Sequence, residues 1–312
     1  MQETSDSAYV CFPTIGCHGR LGNALFQYAA GKALATFHNV PFKVPRDIFT
    51  RCHHSQQCLL HHFDIEFDYE GESATRNNIQ FQESVSPYTF MPEFFELPAN
   101  TDLYGHFENE QYFESISSTI KQEYQHKPYL KQFANTSLDS IRHKYGEDYK
   151  VVALHMRRGD TINLTSEQVL NDLSENGWLH RFIKESLGVI DASCDRYVVL
   201  VFTGGSRDGQ NSDDIEWCSQ NIPRAFPNHT FVFNEAPRSC IEDHALLTQC
   251  DHVICTNVST FAWWAGYLNP HDDACIIVPS HVPFNPFYSY GPQLDLRNFW
   301  ARRFKQLNVP FS

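Results

Sequence analysis

Short apolar runs alternate with segments of helical periodicity through the second half of the chain. Each apolar run, rich in valine and isoleucine, is typical of a buried strand, and the segments between repeat their apolar residues at helical spacing. The predicted strands are 151–156, 196–203, 230–234, 252–256 and 275–279, and the predicted helices are 166–187, 212–221, 239–250 and 261–268. This alternation predicts a parallel sheet with helices on both faces.

The first half shows the same pattern once, close to its N-terminal end. An apolar run at 9–15 predicts a strand, and apolar residues recur at helical spacing over 25–37. The turn between them, GCHGRLG at 16–22, is rich in glycine, and Asn23 is the predicted helix cap. Strand, glycine-rich turn and helix together point backbone N–H groups at an anion. The glycine spacing is not GxGxxG, so an ordinary tight turn is the alternative.

Residues 64–110 are acidic, aromatic and interrupted by prolines, so no long element is predicted there. Aromatic rings beside carboxylates and amides can hold sugar rings, but they also form the core of irregular domains. Residues 111–146 predict mixed helix, and the polar, glycine-bearing segment 143–150 predicts a domain boundary. The predicted domains are therefore 1–148 and 149–312.

The segment VVALHMRRGD, residues 151–160, ends its predicted strand in charged side chains. Open α/β folds bind ligands at the carboxyl ends of their strands. Arg157 and Arg158 suit a diphosphate at such an edge, because each guanidinium can donate two parallel hydrogen bonds to phosphate oxygens. A surface turn with solvated arginines is the alternative that this segment alone leaves open.

Two further turns, TGGSRD at 203–208 and TNVST at 256–260, also follow predicted strands. All three turns can therefore lie at one edge of the sheet. Ser259 and Thr260 come directly before the predicted helix at 261, where N–H groups and hydroxyls can bind phosphate oxygens. Plain helix capping is the alternative role of these two hydroxyls.

Composition narrows the class of ligand. The chain has 312 residues, of which 42% are hydrophobic, and a formal net charge of −13. Such an acidic chain is not expected to bind nucleic acid or an anionic membrane surface, so two neighbouring arginines indicate a small anionic ligand in a cleft. No apolar stretch is long enough to span a membrane, and the N-terminal segment MQETSDSAYV does not have the pattern of a signal peptide.

Ten cysteines and four N-x-S/T sequons bear on the compartment. The sequons begin at Asn135, Asn163, Asn228 and Asn257. Together these features favour a secretory lumen over the cytosol, although neither is specific. The absence of a CxxC pair argues against a zinc ribbon or a thioredoxin-type motif.

Histidines and cysteines are also concentrated in RCHHSQQCLLHHF, residues 51–63. These are zinc-ligand types, but their spacing matches no standard structural site. Cys52 and Cys58 can instead close a small disulfide loop. A metal site is therefore the less favoured interpretation of this cluster.

Five segments resemble glycosyltransferase family 11, the α-1,2-fucosyltransferases. In chain order they are GRLGNALFQYAAGKALA, GHFENEQYF, HMRRGD, DIEWCSQN and TNVSTFAWWAGYLN. The resemblance extends over nearly the whole chain. HMRRGD together with GRLGN is also similar to the wider group of α-1,2-, α-1,6- and protein O-fucosyltransferases.

The resemblance implies a GT-B-like α/β architecture, with two Rossmann-like lobes facing across a cleft. It implies GDP-fucose as the donor, no required metal or other cofactor, and inversion at the anomeric carbon. The expected acceptor is a glycan, with the 2-hydroxyl of galactose as the expected site of transfer. The N-terminal lobe is expected to form the acceptor side, and the C-terminal lobe is expected to bind the donor.

The resemblance also implies roles for single residues. The residues expected to contact the donor are Arg157, Arg158, Ser259, Thr260, Phe261, Arg20, Gly22 and Asn23. The candidate catalytic residues are Arg157, Asp160 and His155. Asp160 either takes the proton of the acceptor hydroxyl or orients an arginine by pairing with it, and a carboxylate of residues 64–110 is an equal candidate for the base.

Two other functions stay open at this point. The chain can be a different nucleotide-sugar-dependent glycosyltransferase, or a carbohydrate-binding relative without catalytic activity. The expected location is the Golgi lumen, with the cytoplasm as the alternative. A glycan at Asn257 is disfavoured, because TNVST is expected to lie at the active cleft.

Overall fold

The computed structural model describes residues 8–53, 56–70, 79–84, 88–158, 172–204, 212–234, 238–283 and 294–310. Contacts divide the chain into two compact units, Met1–Gln125 and His126–Ser312. Each unit carries a parallel sheet together with helices, as an α/β protein should. Among the described residues, no helix is long and apolar enough to cross a membrane.

The first unit is built on a five-stranded parallel sheet. Its elements are β1 (Val10–Cys11), α1 (Leu21–His38), β2 (Phe42–Val44), β3 (Cys52–His53), β4 (Gln56–Gln57), β5 (Asp68–Tyr69), β6 (Ile79–Gln82), β7 (Thr101–Tyr104) and α2 (Ser117–Glu123). The strand order is β5-β2-β1-β7-β6, and all neighbouring pairs are parallel. Strands β3 and β4 form a separate antiparallel ribbon.

The region predicted as irregular contributes three strands to this sheet, β5, β6 and β7. These strands are only two to four residues long, and β5 and β6 are mostly polar and accessible to solvent. Such short segments carry too few residues for an alternating apolar pattern to emerge. The long helix α1 is as expected, but it begins at Leu21 with Arg20 in the capping position.

Asn23 is therefore not the N-cap of α1, as the sequence had suggested. It lies in the first turn, and its Oδ1 accepts a hydrogen bond from the backbone N–H of Arg20 at 3.1 Å. The asparagine thus stabilises the helix start from inside the helix. Its side-chain amide nitrogen is left facing the loop that follows β7.

The core of the first unit is aromatic. Phe107 contacts Phe12, Phe94 and Tyr112 with ring centroids 5.7, 5.6 and 5.1 Å apart. All four rings are fully buried, and the pairs with Phe12 and Tyr112 have the edge-to-face geometry that aromatic quadrupoles favour. These aromatic residues of the 64–110 region and its continuation therefore form the core and do not present a surface for sugar rings.

The second unit is built on a six-stranded parallel sheet. Its elements are α3 (Pro128–Tyr145), β8 (Lys150–Met156), α4 (Trp178–Asp191), β9 (Tyr197–Thr203), α5 (Ser212–Ala225), β10 (Phe231–Val232), α6 (Cys240–Gln249), β11 (His252–Cys255), α7 (Thr260–Tyr267), β12 (Ile276–Pro279), β13 (His281–Val282), β14 (Leu294–Asp295) and β15 (Lys305–Leu307). The order is β10-β9-β8-β11-β12-β15, with all pairs parallel. Strands β13 and β14 form an antiparallel ribbon.

The predicted alternation of strands and helices is confirmed here for the strands and helices from β8 to β12. Ser239 and Glu242 form a reciprocal capping box at the start of α6. Strand β15 was not predicted, because the short sequence KQL has no apolar pattern. The helix predicted at 166–187 is seen from Trp178 to Asp191, and residues 159–171 lie outside the described part of the chain.

The division between the units lies before α3, and not at the predicted boundary after residue 148. Helix α3 packs against α6 and β8 through its buried residues Leu130, Ala134 and Leu138. At its C-terminal end, Arg142 donates a hydrogen bond to Asp251 at 2.9 Å. The helix therefore belongs to the second sheet, although the polar segment that follows it resembles a linker.

The carboxylate of Asp251 binds three neighbouring residues at the N-terminal ends of β8 and β11. It accepts hydrogen bonds from the Val151 N–H at 2.8 Å, Arg142 at 2.9 Å and Lys150 at 3.1 Å. Burial by itself raises the pKa of this carboxyl group. The three hydrogen bonds and the charge of Arg142 outweigh that effect, so the net pKa of Asp251 lies below its usual range.

We expect Asp251→Asn to lower the free energy of unfolding by about 2 to 4 kcal/mol at neutral pH, because the amide has no charge and only one acceptor oxygen for the Val151 N–H, Arg142 and Lys150. A lowered folded-state pKa stabilises the protein above the unfolded pKa of about 4, and this contribution is lost as pH falls through the folded value. The difference in the free energy of unfolding between the wild type and Asp251→Asn should therefore become smaller below about pH 4. Urea unfolding at several pH values measures this difference.

The matched control is Asp273→Asn, since this exposed carboxylate also lies near Lys150, at 3.9 Å. An exposed ion pair of this kind contributes little, so the control should stay within about 0.5 kcal/mol of wild type. A difference between wild type and Asp251→Asn that stays constant from pH 7 to pH 3 would contradict the role given to the carboxylate.

Candidate functional site

The second sheet reverses its strand order next to β8. The chain runs from β8 to β9 and β10 on one side, and later to β11 and β12 on the other. Ligands of open α/β sheets bind in the crevice that such a reversal opens beyond the carboxyl ends of the strands. We call the residues at this edge the β8–β11 site: His155, Arg157, Arg158 and 256–261.

Hydrogen bonds join the two strand ends of this site. His155 pairs with Cys255 in register, and the carbonyl oxygen of His155 accepts from both the N–H and the Oγ1 of Thr256, at 3.2 and 3.1 Å. Asn257 is buried, and its Oδ1 accepts from the N–H of Val258 at 2.7 Å. A glycan at Asn257 is disfavoured, because this residue is only 4% exposed.

Arg157 is fixed at the start of α7. Its Nη1 donates to the carbonyl oxygen of Val258 at 2.5 Å. Helix α7 begins at Thr260, and its cap Ser259 accepts a hydrogen bond from the Ala262 N–H at 3.2 Å. The structure therefore brings Arg157, Ser259 and Thr260 together, as the sequence predicted. A guanidinium and the positive end of a helix dipole lie at one place, which suits an anion.

Arg158 has different surroundings from its neighbour. It is buried, its Nε donates to Asp214 at 3.1 Å, and its guanidinium lies 3.7 Å from the ring centroid of Trp217. Asp214 and Trp217 both belong to α5, in the motif DIEWC. The arginine therefore connects the end of β8 to α5. Sequence reasoning missed this pair, although the i, i+3 spacing of the two α5 residues placed them on one helix face.

Two histidines flank Phe261. The His155 ring stacks on it at 5.9 Å, and the His244 ring meets it edge-on at 5.0 Å. Burial, and then the charge of Arg157, lowers the pKa of His155 to about 4. His244 accepts or donates a 2.9 Å hydrogen bond with His126, and burial holds its pKa well below the usual value. His155 is therefore neutral at pH 7 and supports the site through its ring.

Two predicted parts of the edge lie outside the described residues. They are Asp160, with Gly159 before it, and residues 205–208 of TGGSRD. The role of Asp160 as base or as partner of an arginine stays a prediction.

The first sheet also reverses its strand order, between β1 and β7. Asn23 lies there, and its Nδ2 donates to Glu108 Oε1 at 2.6 Å and lies 3.4 Å from His106 Nδ1. The structure thus brings the predicted residues Arg20, Gly22 and Asn23 together at the start of α1. We call the group Asn23, Glu83, His106 and Glu108 the β1–β7 site.

Glu83, His106 and Glu108 were not predicted as site residues. Glu83 Oε2 accepts from the backbone N–H groups of His106 and Phe107, at 2.7 and 2.8 Å. Burial is the main cause that raises the pKa of Glu83. The motif GHFENEQYF contained the signal, because two of its polar side chains directly follow a strand.

The histidine- and cysteine-rich segment 51–63 does not gather a metal site in the part of it that is described. Across all described residues, no group of three or more His, Cys, Asp or Glu side chains could hold an ion. Cys58 is a free, buried cysteine that packs against Gly16, so it forms no disulfide with Cys52. His61 and His62 lie with their ring centroids 3.9 Å apart.

Comparison with known proteins identifies the family. The model of the family described as Glycosyl transferase family 11 matches residues 5–301. The chain belongs to glycosyltransferase family 11. The resemblance found in its motifs is thus confirmed, and the chain is a family 11 glycosyltransferase with curated fucosyltransferase relatives.

Two relatives illustrate the likeness. Galactoside alpha-(1,2)-fucosyltransferase 2 of Oryctolagus cuniculus is 24% identical over 287 residues, which are 90% of this chain and 75% of the relative. The protein of the same name from Mus musculus is 25% identical over 283 residues, which are 88% of this chain and 73% of the relative.

Solved structures show the same fold. POFUT1 in complex with GDP matches with a TM-score of 0.52 and 12% identity, over 88% of this chain and 99% of that chain. POFUT1 in complex with GDP-fucose matches with a TM-score of 0.50 over the same shares. These likenesses confirm the predicted α/β, GT-B-like fold class of this family 11 chain.

We expect Arg158→Ala to lower the free energy of unfolding by about 3 kcal/mol, because it leaves the Asp214 carboxylate buried without its partner. Arg157→Ala should change the free energy of unfolding by less than about 1 kcal/mol, since its guanidinium is half-buried at the edge of the sheet and donates to the carbonyl oxygen of Val258. Denaturant unfolding measures the free energy of unfolding of both arginine variants. The control for α5 is Asp213→Asn, since Asp213 is exposed on this helix. Equal effects of the two arginine variants would contradict the division of roles.

Proposed function

We propose that this family 11 protein is an inverting fucosyltransferase. It transfers L-fucose from GDP-fucose to a hydroxyl of a glycan acceptor, with the 2-hydroxyl of a terminal galactose as the site of transfer. The observation that carries the proposal is the position of Arg157, fixed at the N-terminal end of α7 where the second sheet reverses its strand order.

The positive charge of the β8–β11 site matches the negative charge that develops on the leaving group. Cleavage of the bond between fucose C1 and the diphosphate leaves negative charge on GDP while the sugar becomes oxocarbenium-like. Arg157 can donate two hydrogen bonds to the departing phosphate, and the start of α7 adds N–H groups and the Thr260 hydroxyl. Groups that are held in place before the reaction stabilise such charge most effectively.

Inversion follows from a single displacement. The acceptor oxygen forms its bond to fucose C1 on the face opposite the leaving GDP, and the acceptor proton passes to a base. We propose Asp160 as the base. His155 is neutral, so it supplies no charge, and its ring stacks on Phe261 in the first turn of α7.

The names of similar proteins support the donor and the acceptor. The curated relatives are galactoside alpha-(1,2)-fucosyltransferases, and the solved structure of POFUT1 with the same fold contains GDP-fucose. For this chain, GDP-fucose, the galactoside acceptor and the 2-hydroxyl linkage are parts of the proposal.

We also propose that the protein needs no metal ion and works in the Golgi lumen. Arg157 and the α7 start supply the positive charge that a metal would otherwise bring to a diphosphate. The sequon at Asn228 lies exposed in a turn, where a glycan can be attached. Treatment of the expressed protein with an N-glycosidase tests the location. The enzyme should increase the gel mobility of the wild type, and it should have no such effect on Asn228→Gln.

We expect the purified protein to release GDP from GDP-fucose in the presence of lactose, and Arg157→Ala to lower kcat/KM by at least about 100-fold. Removal of one preorganised donor typically costs this much. Arg224→Ala is the matched control, because this exposed arginine lies at the end of α5. Full activity of Arg157→Ala, or a preference for another nucleotide sugar, would contradict the assignment.

The same assay in excess EDTA should give an unchanged rate. A loss of activity that added Mn²⁺ or Mg²⁺ restores would contradict the metal-free proposal. Product linkage, read by nuclear magnetic resonance of the fucosylated lactose, distinguishes the 2-hydroxyl from the other hydroxyls of galactose.

A further inference from the structure

The β1–β7 site lies at the position in the first sheet where a ligand is expected. The loops after β1 and β7 meet at the reversal of strand order, and Glu83 follows directly after β6, the neighbour of β7. Three strand ends therefore contribute to one edge. Besides Arg20 and Asn23, which the sequence suggested, this edge presents the imidazole of His106 and the carboxylate of Glu108.

The turn before α1 is shaped around Asn23. Gly19 has a φ of +82°, and a Cβ atom at this position would lie 2.3 Å from Cγ of Asn23. Only glycine fits there, both because of the backbone conformation and because of the close approach. Since Oδ1 of Asn23 accepts from the Arg20 N–H, the amide nitrogen must point towards His106 and Glu108.

The loop after β7 is held in a conformation that its residues do not favour. Phe107 has a φ of +54°, in the left-handed region, where a residue other than glycine costs about 1 kcal/mol or more. The carboxylate of Glu83 stabilises this turn by accepting the N–H groups of His106 and Phe107. The Phe107 ring is fully buried, whereas His106 is exposed and Glu108 is half-buried.

The two side chains have complementary hydrogen-bonding properties. An amide N–H₂ group only donates, so the His106 Nδ1 that faces Asn23 is an acceptor, and the ring proton of the neutral form is on Nε2. Desolvation of its ring lowers the pKa of His106, which favours that neutral form. His106 Nε2–H is thus a donor. A carboxylate can accept about four hydrogen bonds, so Glu108 can accept from a ligand while it keeps the Asn23 contact.

We propose that His106 and Glu108 bind a pair of neighbouring hydroxyls on the acceptor sugar, and that Asn23 is the positioning residue that holds both side chains. A sugar hydroxyl both donates and accepts, so one donor and one anionic acceptor side by side match a vicinal diol. A diphosphate would meet a carboxylate here, and like charges repel each other. The proposal assigns these residues of the first unit to acceptor recognition, and it rests on the proposed transfer to a galactoside.

The test measures the acceptor and the donor separately. With lactose as acceptor, Glu108→Ala should raise the acceptor KM by roughly 10- to 100-fold, the usual effect of losing a hydrogen bond to a charged group. Glu108→Gln keeps an oxygen acceptor without the charge, so its effect should be smaller. His106→Ala should also raise the acceptor KM. The donor KM and the affinity for GDP should stay unchanged in all three variants.

Asn23→Ala tests the positioning role. It should raise the acceptor KM, and its effect should be smaller in the Glu108→Ala background than in the wild type, because the asparagine acts in part through the glutamate and in part through His106. The matched control is Glu96→Ala, an exposed carboxylate of the same unit, which should leave both KM values unchanged. Thermal unfolding confirms that each variant is folded.

The outcomes separate this proposal from the proposed function. An unchanged acceptor KM in Glu108→Ala, or a higher donor KM in Asn23→Ala, would overturn the acceptor site. A wild-type protein that turns over no GDP-fucose would contradict the proposed function. In that case, weakened binding of methyl β-galactoside by Glu108→Ala, seen by saturation-transfer nuclear magnetic resonance, would still support the site, and unchanged binding would overturn it.

Discussion

The parallel pairing of β8 with β11 is the interaction on which the β8–β11 site depends. Residues that flank β11 stabilise this pairing at both of its ends by hydrogen bonds. Asp251 accepts the Val151 N–H at 2.8 Å at one end, and Thr256 donates twice to His155 at the other. Two segments about a hundred residues apart in the chain are thereby fixed side by side. Arg157 reaches Val258 only because the register of these strands brings their ends level.

Two neighbouring arginines have different surroundings because of their positions at the strand end. Arg157 lies half-buried at the edge, and its guanidinium donates to the carbonyl oxygen of Val258 just before α7. Arg158 is buried between Asp214 and Trp217 of α5. A buried charge is tolerated only when it is paired, so the ion pair makes the arginine part of the scaffold. The motif thus supplies one arginine at the edge of the sheet, which we propose binds the donor, and one arginine that belongs to the scaffold.

Both sheets have a candidate site at a reversal of strand order, but the side chains at the two sites carry different charges. In each unit a reversal of strand order opens an edge to loops, and a helix starts from one of these loops. The second unit places a guanidinium and a helix N-terminus at that edge, which suits an anion. The first unit places the carboxylate of Glu108, the imidazole of His106 and the amide of Asn23 beside Arg20, and we propose that this group binds uncharged hydroxyls. Chemistry of the side chains, and not the fold, separates the two roles.

The sequence alone was sufficient for five of the six strands of the second sheet and for the family. Its apolar runs are long enough to show periodicity, and Arg157, Ser259 and Thr260 follow strands whose parallel order forces their ends to one edge. Strands β5 and β6 escaped prediction because they are short and mostly polar, and α3 was assigned to the wrong unit because its partner α6 lies about a hundred residues away.

Only the tertiary structure distinguished residues of the same type. It separated Arg157 from Arg158, moved Asn23 from the helix cap to the contact with Glu108, and joined Glu83 to a strained turn at Phe107. Each of these depends on which distant side chain lies opposite, a relation that local patterns do not contain. Sequence therefore determined which chemical groups are present at the strand ends, and the packing of helices and sheets decided which of them face a ligand.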